Sequence, residues 1–428
     1  MEELDVLIAG ELAGVLTQLE DGRLTFRYDR GYRGAPLSST MPLSTSVYRD
    51  GRVRPYLSCL LPDSEDARRA VARDHHVSPD NPFAMLAVIG LDCPGAVQIR
   101  ARGLEDVRGS RLVRLCDRDI ARRLSEGKER EVGWISGGER WSLAGQQAKF
   151  ALRRKDGAWF SCEGDEPTTH IFKSGVGHLR SQALDEYVCM RLAKRCGIPA
   201  AEVSYEEFEG DGGPEPAIVV ERYDRSVTGG EVARIHQEDM CQALGFPPGK
   251  KYAFEGGPSS VDVMRRVSGF PGVGRDNADR FLQMHFLNYL ILGHDAHARN
   301  YSILLRPDGA HPLAPMYDVA SGIPYVEARE LKVKSPKLAM SIGGENRPGR
   351  VSLENLEKFV DNCSLERFGI RAEGCADLIS AYASVIPCEL SKVFDELEKG
   401  ACAAAARELR SRMEAPLAWL CERSKANL

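Results

Sequence analysis

The sequence predicts an α+β, two-lobed fold with a β-rich N-terminal lobe and an all-helical C-terminal lobe. Short strand-like runs separated by turns dominate the chain up to residue 225, whereas helical patterns dominate beyond residue 230. A block of strands followed by a block of helices is the order typical of α+β proteins. The 428 residues have room for about two or three domains. We predict a division into residues 1–105, 106–225 and 226–428.

The β-rich half is predicted from short apolar runs bounded by Gly-containing turns. The predicted strands are residues 4–8, 14–19, 24–28, 147–153, 158–161, 169–173, 202–208 and 217–223. Apolar residues recur at helical spacing from Val113 to Leu124, so we predict one amphipathic helix over residues 111–127. Longer helical patterns predict helices at residues 182–196, 277–292 and 402–425. Residues 247–258 and 323–350 read as irregular segments.

Composition argues against several classes of function. The net charge of −5 gives no support for general nucleic-acid binding, although a local basic patch stays open. Acidic residues stand where a signal peptide would be basic, and no apolar run approaches the ~20 residues of a membrane span. The 12 cysteines form no C-x-x-C pair, which is typical of reduced thiols and argues against a zinc site. We expect a soluble, cytoplasmic protein.

The strongest chemical signal is an Asp and an Asn five positions apart, Asp295 and Asn300, directly after an apolar helix. Protein kinases use this spacing in the catalytic loop, where the Asp orients the attacking hydroxyl and the Asn holds a magnesium ion. A neutral amide oxygen binds Mg²⁺ without adding charge beside the carboxylate. A helix end rich in His and Asp has the same pattern, so the spacing alone leaves both interpretations open.

The residues around this loop favour the kinase interpretation. A strand at residues 301–305 and a Pro-Asp-Gly turn precede Asp318, where kinases place a second metal ligand. The D-F-G triplet is absent, because Val319 and Ala320 follow this Asp. Upstream, Lys173 ends a predicted strand and could meet the phosphates of ATP, and Glu186 on the next helix could pair with it. A turn carboxylate and a solvated lysine are the plain alternatives.

Small residues precede the strand at 147–153, although neither G-x-G-x-x-G nor a P-loop pattern is present. The segment reads Ser142-Leu143-Ala144-Gly145-Gln146-Gln147-Ala148-Lys149. Such residues would let backbone N–H groups approach a phosphate, as in other anion-binding turns. An ordinary turn is the competing interpretation.

Taken together, these segments resemble the HipA family of serine/threonine kinase toxins. The matching segments, in the order of the family, are residues 142–149, 168–173, 219–225, 236–242, 295–300 and 317–318. Residues 60–64 and 89–97 resemble the N-terminal part of the family. The resemblance therefore spans nearly the whole chain and implies a protein-kinase-like fold.

The resemblance also implies a role for each candidate residue. Asp295 would be the catalytic base, Asn300 and Asp318 would bind Mg²⁺, and Lys173 would hold the phosphates of ATP. The other ATP-binding residues would be Ala144, Gly145, Gln146, Gln147 and Lys149 in a phosphate loop, Glu221 and Tyr223 at the adenine, and His297 near the phosphates. Ser142 would be the site of an autophosphorylation that ejects the loop and silences the enzyme. Gln237, Glu238 and Asp239 would support the catalytic loop.

The activity implied by the resemblance is ATP- and Mg²⁺-dependent phosphorylation of a translation component, such as an aminoacyl-tRNA synthetase. The implied partner is a small DNA-binding, HipB-like antitoxin, through which any DNA contact would be indirect. The acidic balance of the chain is compatible with a basic partner. Two alternatives stay open: a catalytically silent scaffold that acts with the antitoxin as co-repressor, and a lipid kinase. Against the second, the sequence has no basic amphipathic helix for membrane docking.

Overall fold

The computed structural model describes residues 1–45, 47–103, 110–130, 139–145, 147–327, 330 and 336–428. The chain forms two compact units. Unit 1 comprises Met1–Ser174, Glu206–Lys250 and Ser302–His311, and unit 2 comprises Gly175–Tyr205, Lys251–Tyr301 and Pro312–Leu428. The α+β prediction is confirmed, while the three-part division of the sequence stays a prediction.

The N-terminal part of unit 1 is an antiparallel sheet with the strand order β4-β3-β2-β1-β5. Its strands are β1 (Glu2–Ile8), β2 (Glu11–Gln18), β3 (Leu24–Tyr28), β4 (Val47–Arg49) and β5 (Val97–Ala101). Three helices share its hydrophobic core: α1 (Asp50–Cys59), α2 (Glu65–His75) and α3 (Pro82–Ile89). Phe26, Tyr56, Leu86 and Ile99 are fully buried in that core, so the apolar face of the sheet is covered by helices.

A second sheet has the strand order β10-β11-β9-β7-β8-β6. Its strands are β6 (Arg111–Leu115), β7 (Lys149–Lys155), β8 (Ala158–Glu163), β9 (His170–Lys173), β10 (Val203–Gly210) and β11 (Gly213–Glu221). Strands β7 and β8 are joined by the two-residue turn Asp156-Gly157, both in the left-handed region at φ +50° and +77°. Glycine suits this turn because it has no Cβ to clash.

The helix predicted over residues 111–127 is wrong in its first part. Residues Arg111–Leu115 form β6, which pairs with β8, and helix α4 runs over Asp117–Arg130. The side chain of Asp119 accepts a hydrogen bond from the Cys116 backbone N–H at 3.1 Å, which fixes the start of the helix. Val113 fits the helical spacing with Cys116, but Val113 and Leu115 also share one face of a strand, and pairing with β8 decides for the strand.

Two pairs of short strands complete unit 1. Strand β12 (Arg225–Thr228) pairs with β13 (Glu231–Arg234), and β14 (Gln237–Asp239) pairs with β15 (Ser302–Leu304). Helix α6 (Met240–Leu244) follows β14 and begins at a capping box formed by Asp239 and Gln242. This reciprocal pair of hydrogen bonds satisfies backbone donors at the start of the helix.

In unit 2, the elements among the described residues are helices and the first residues of β10. Its helices are α5 (Gln182–Arg195), α7 (Ser260–Val267), α8 (Gly274–Leu290), α9 (Ile323–Glu327), α10 (Leu353–Cys363), α11 (Ala372–Leu397) and α12 (Ala403–Ala426). Helix α11 packs against α5, α8, α10 and α12 through fully buried residues such as Ile386 and Leu390. The helices predicted at 182–196, 277–292 and 402–425 are confirmed. Helix α9 occupies the start of the segment predicted to be irregular.

Candidate active site

The chain reverses direction at the end of α8 and forms the loop that carries Asp295. Leu292 adopts a left-handed conformation at φ +54°, and the Gly293 N–H donates to the Asn288 carbonyl oxygen at 2.7 Å. A 3₁₀ turn over Ala298–Asn300 ends the loop. The side chain of Asp295 is exposed, so its carboxylate can meet a group arriving from solvent.

The side chain of Asn300 is hydrogen-bonded to the backbone of both acidic residues predicted from the sequence, Asp295 and Asp318. Its side-chain Nδ2 donates to the Asp295 carbonyl oxygen at 3.0 Å and to the Asp318 carbonyl oxygen at 3.4 Å. These bonds orient the Nδ2 branch of the amide towards the backbone. The other branch, Oδ1, is the atom that can coordinate a cation. The structure therefore brings together Asp295, Asn300 and Asp318 within unit 2, while their roles stay a prediction.

The segment after Asp318 is tied to the same loop. The hydroxyl of Ser321 donates to the Ile291 carbonyl oxygen at 2.6 Å, and the Gly322 N–H donates to the Leu292 carbonyl oxygen at 2.9 Å. A Cβ at Gly322 would lie 2.9 Å from the His294 ring, so only glycine allows this approach. The position of Asp318 is thus set by backbone contacts on its C-terminal side. Asp318 itself has a left-handed backbone, with φ +58°.

The loop also holds a buried histidine. His297 is 5% exposed, and burial lowers its pKa below the ordinary value, which favours the neutral imidazole at neutral pH. Its ring meets the ring of Tyr252 edge-on, with 5.0 Å between the centroids. A role for His297 near the phosphates stays a prediction.

Tyr252 is a site residue that sequence reasoning missed. Its hydroxyl donates to Asp295 Oδ1 at 2.5 Å. The sequence predicts only an irregular segment around this residue. No periodic pattern marks Tyr252, because the side chain that it contacts lies 43 positions away. The contact places a hydroxyl on the predicted catalytic carboxylate.

Unit 1 carries the predicted phosphate-binding lysines on neighbouring strands. Lys149 of β7 and Lys173 of β9 are direct partners in the antiparallel ladder, and Lys173 is 5% exposed. Directly opposed residues project from the same face of a sheet, and like charges in such positions repel. A bound phosphate would therefore stabilise this pair.

The predicted phosphate loop lies against the N-terminal part of unit 1. The Asp63 N–H donates to the Gly145 carbonyl oxygen at 3.1 Å, and the Ser142 N–H donates to the Asp92 carbonyl oxygen at 3.1 Å. Gly145 has φ +106°, and a Cβ there would lie 2.5 Å from Lys149 Nζ. The ammonium group of Lys149 therefore lies directly over Gly145. Gln146 lies outside the described residues, whereas Ala144 and Gln147 are half-buried.

Ser142 is completely buried, and its hydroxyl donates to the Leu60 carbonyl oxygen at 2.6 Å. A phosphate on this oxygen has no room or donor beside a carbonyl group, so a phosphorylated Ser142 would have to leave its position. The conformation of this loop in the structure is therefore the one that requires an unphosphorylated Ser142.

The two predicted adenine residues lie where β11 ends. Glu221 is exposed and pairs with His170 in the ladder, and the hydroxyl of Tyr223 donates to Gln237 Oε1 at 2.9 Å. The segment 237–239 has structural contacts of its own. Glu238 Oε1 accepts from the Ser39 N–H at 2.9 Å, and Asp239 caps α6.

Two family models match this chain. The family model described as HipA-like C-terminal domain matches residues 141–388, and the HipA N-terminal domain matches residues 4–100. The first match alone covers more than half of the chain. The chain belongs to the HipA family.

Relatives of this HipA-family protein include named kinases. A candidate kinase of Sinorhizobium fredii, Y4mE, is 35% identical over 79% of this chain and 80% of its own length. The serine/threonine-protein kinase toxin HipA of Shewanella oneidensis is 31% identical over 78% of this chain and 76% of its own. A solved complex of HipA, HipB and operator DNA from Shewanella oneidensis MR-1 contains a chain with a TM-score of 0.80 and 27% identity. That match covers 98% of this chain and 97% of the other.

The donor set of this HipA-family chain fits one kind of cation. Among the described residues, no group of three or more His, Cys, Asp or Glu side chains could hold a metal ion. A single carboxylate with an amide oxygen suits Mg²⁺, which usually keeps several waters and takes phosphate oxygens of the substrate as ligands. Asn300 and Asp318 have these two donor types.

Among the residues that the structure describes, none of the helices has the length and apolar character of a membrane span.

A buried ionic cluster in unit 1 was also missed from the sequence. Asp92 accepts hydrogen bonds from Arg222 at 3.1 Å, from Arg225 at 2.8 Å and from Arg234 at 3.3 Å. The neighbouring guanidinium groups hold the pKa of Asp92 well below its usual range, against the opposing effect of burial. The cluster joins the loop after α3 to the end of β11. It lies beside the residues predicted to bind adenine.

Proposed function

We propose that this HipA-family chain transfers the γ-phosphoryl group of ATP to a serine or threonine hydroxyl of a protein. The observation that carries the proposal is the hydrogen-bonded arrangement of Asp295, Asn300 and Asp318. One exposed carboxylate stands beside a donor pair suited to a hard cation, and kinase chemistry needs that combination. Relatives named as kinases support the same class of reaction.

In the proposed reaction, the acceptor hydroxyl donates its hydrogen to the carboxylate of Asp295. The hydroxyl oxygen bonds to the γ-phosphorus while the bond from that phosphorus to ADP breaks, and Asp295 takes the proton. Phosphoryl transfer depends mostly on positioning and on stabilisation of charge. The loop bonds that fix Asp295 and Asn300 supply the positioning within unit 2.

We assign the remaining candidate residues to ATP and its metal ion. Asn300 and Asp318 would hold Mg²⁺, which when bound offsets the negative charge of the phosphates. Lys173 and Lys149 would meet phosphate oxygens, together with backbone N–H groups of the Ala144–Gln147 segment. Glu221 and Tyr223 would contact the adenine, and His297 would lie near the phosphates.

We also propose that the protein phosphorylates its own Ser142. The serine is buried in the unmodified arrangement, so transfer requires the loop to leave the Leu60 carbonyl group first. Once phosphorylated, the residue would not return to that position. Loss of the loop would lower ATP binding and silence the enzyme.

The substrate and partner are proposed from the family. The HipA of Shewanella oneidensis has been solved with HipB and operator DNA. By analogy, a small HipB-like, DNA-binding protein would bind this chain, and DNA would be contacted through it. A translation component such as an aminoacyl-tRNA synthetase would be the phosphorylated protein.

The deciding experiment compares the wild-type protein with Asp295→Asn and Asp279→Asn. Asp279 lies on α8 in an exposed ion pair with Arg275, so it is a matched control for loss of a carboxylate. With ATP and Mg²⁺, we expect Asp295→Asn to lose about 100-fold or more of the turnover, as for removal of a general base. ATP affinity should stay within about twofold, because the carboxylate acts on the acceptor. Wild-type turnover by Asp295→Asn would refute the assignment.

The second candidate function is a catalytically silent scaffold that acts with a DNA-binding partner. The solved HipA–HipB–DNA complex is the observation that favours it. Mass spectrometry of a sample shown to be unmodified at the start separates the two functions. Phosphate on Ser142 after incubation with ATP supports the kinase, whereas ATP binding without any phosphorylation supports the scaffold.

A further inference from the structure

The contact between Tyr252 and Asp295 has a specific chemical meaning. In the proposed reaction, the acceptor hydroxyl must donate its hydrogen to the carboxylate of Asp295. The Tyr252 hydroxyl already donates to Oδ1 of that carboxylate at 2.5 Å. The phenol therefore makes the hydrogen bond that the reaction requires of a substrate.

We propose that Tyr252 occupies the acceptor-hydroxyl position on Asp295 and that an incoming acceptor must displace it. This inference rests on the proposed kinase function. A carboxylate has about four lone-pair positions, so one hydrogen bond does not saturate it. We infer that the phenol bound at 2.5 Å leaves no place for a second hydroxyl on Oδ1. Tyr252 is thus a residue that sets the affinity for the acceptor.

The backbone around Tyr252 is fixed, while its side chain is only half-buried. The Ala298 N–H donates to the Lys251 carbonyl oxygen at 3.3 Å, so the segment is attached to the catalytic loop. The Tyr252 carbonyl oxygen accepts from the Glu255 N–H at 3.1 Å and the Gly257 N–H at 3.0 Å. We therefore expect displacement to occur by rotation of the Tyr252 side chain, with the segment still attached to the catalytic loop.

The neighbours of the ring allow this exchange. Lys251 Nζ lies 5.4 Å from the centre of the Tyr252 ring, and His297 meets the ring edge-on. The ring of Phe254 lies 5.2 Å away, measured between centroids, and its side chain is 74% exposed. Phe254 is thus an exposed apolar side chain next to the phenol. The contacts of the Tyr252 side chain thus include three neighbouring side chains besides Asp295.

The test separates acceptor binding from ATP binding and from the chemical step. Dephosphorylated casein serves as the acceptor, and phosphate transfer is followed with labelled ATP. Tyr252→Phe keeps the ring but removes the hydroxyl, and Tyr187→Phe, a half-buried tyrosine of α5, is the matched control. For Tyr252→Phe we expect the KM for casein to fall roughly three- to tenfold, as for loss of one typical hydrogen bond. The KM for ATP should not change, and Tyr187→Phe should match the wild type.

Three outcomes would overturn the proposal in an active protein. An unchanged KM for casein would show that the hydroxyl does not compete with the acceptor. A large loss of kcat in Tyr252→Phe would make the phenol part of the chemistry instead. Stoichiometric phosphate on Tyr252 would make it a substrate. A wild-type protein that phosphorylates neither casein nor its own Ser142 would remove the proposed kinase function itself, and this inference with it.

A measurement without turnover tests the contact directly. Tyrosine labelled with ¹³C at Cζ reports hydrogen bonding of each phenol by NMR, and Tyr252→Phe identifies the resonance by its loss. We expect this resonance to shift in Asp295→Asn and on addition of casein. A resonance that is the same in the wild type and in Asp295→Asn would show that the contact is absent in solution.

Discussion

The backbone N–H of Ser321 donates to the side-chain carboxyl group of Asp185, 3.1 Å from Oδ2. The Tyr325 hydroxyl also donates to Oδ2, at 3.3 Å, and the Cys189 thiol to Oδ1, at 3.4 Å. Asp185 is completely buried on α5. It thus attaches that helix to the segment three residues after Asp318. Burial raises the pKa of Asp185 to about 8, so the carboxyl group is largely neutral at neutral pH.

Asp185→Asn should stabilise the protein at alkaline pH more than at acidic pH. The unfolded Asp185 releases its proton near its ordinary pKa, whereas the folded group holds it to about pH 8. Stability is therefore lost as pH rises from about 4 to about 8. One pKa unit corresponds to about 1.4 kcal/mol, so the gain in free energy of unfolding should grow by roughly 1–4 kcal/mol between pH 5 and pH 8.

Urea unfolding at several pH values checks this expectation. Asp361→Asn, at an exposed position on α10, is the control and should show no such trend. A gain in free energy of unfolding for Asp185→Asn that does not depend on pH would contradict the raised pKa of Asp185. Because an amide oxygen can still accept from the Ser321 N–H, we expect ATP turnover at pH 7 to stay within about threefold.

Asp92→Ala should be strongly destabilising. The change leaves Arg222, Arg225 and Arg234 buried around an empty position, and the first two side chains are almost fully buried. Removing one partner from a buried ionic group costs about 3–5 kcal/mol. Urea unfolding at pH 7 gives the free energy directly.

An exposed ion pair supplies the control for Asp92. The side chain of Arg111 is 68% exposed in its pair with Glu163, and exposed ion pairs contribute little to stability. Glu163→Ala should therefore cost far less than Asp92→Ala. Equal losses would mean that the Asp92 cluster is no more important than a surface pair.

Ser142→Asp should weaken ATP binding at least tenfold, whereas Ser142→Ala should change it by less than about threefold. The alanine loses one hydrogen bond, worth about 1 kcal/mol. The aspartate places a charge in a completely buried position beside the Leu60 carbonyl oxygen, where no donor compensates it. Calorimetric titration with ATP measures both. Similar affinities for the two variants would show that the loop tolerates the charge in place.

The parts of the site that could be predicted from sequence are local. Asp295 and Asn300 lie five residues apart on one loop, so the spacing itself brings their backbones together. The strand that carries Lys173 was also predictable, because apolar residues and turns mark it. Its partnership with Lys149 was not, since the register of two strands depends on the whole sheet.

The remaining features depend on contacts between distant parts of the chain. Asp92 and Arg222 are 130 positions apart, and each alone looks like an ordinary surface residue. Residues 111–115 show a related difficulty at short range, because their apolar pattern fits both a strand and a helix. Only pairing with β8 settles the conformation. Burial and partners, which a local pattern does not contain, decide both cases.

Gly145→Ala should weaken ATP binding more than it destabilises the fold, and Gly157→Ala is the matched control. Both glycines have positive φ, +106° and +77°, so both alanines cost backbone strain of about 1 kcal/mol. At Gly157 nothing lies within 4 Å of an added Cβ, whereas at Gly145 the Cβ would meet Lys149 Nζ at 2.5 Å. The methyl group would push the ammonium away from the loop that is proposed to bind phosphate.

Fluorescence titration with an ATP analogue, together with urea unfolding, separates the two effects. We expect similar small losses of stability in both variants and a fivefold or larger rise in the dissociation constant for Gly145→Ala alone, from loss of about one charged contact. Equal affinities would mean that the position of Lys149 over Gly145 does not matter for the nucleotide. Because the unfolding data show whether each variant is folded, weak binding by Gly145→Ala could not be mistaken for loss of structure.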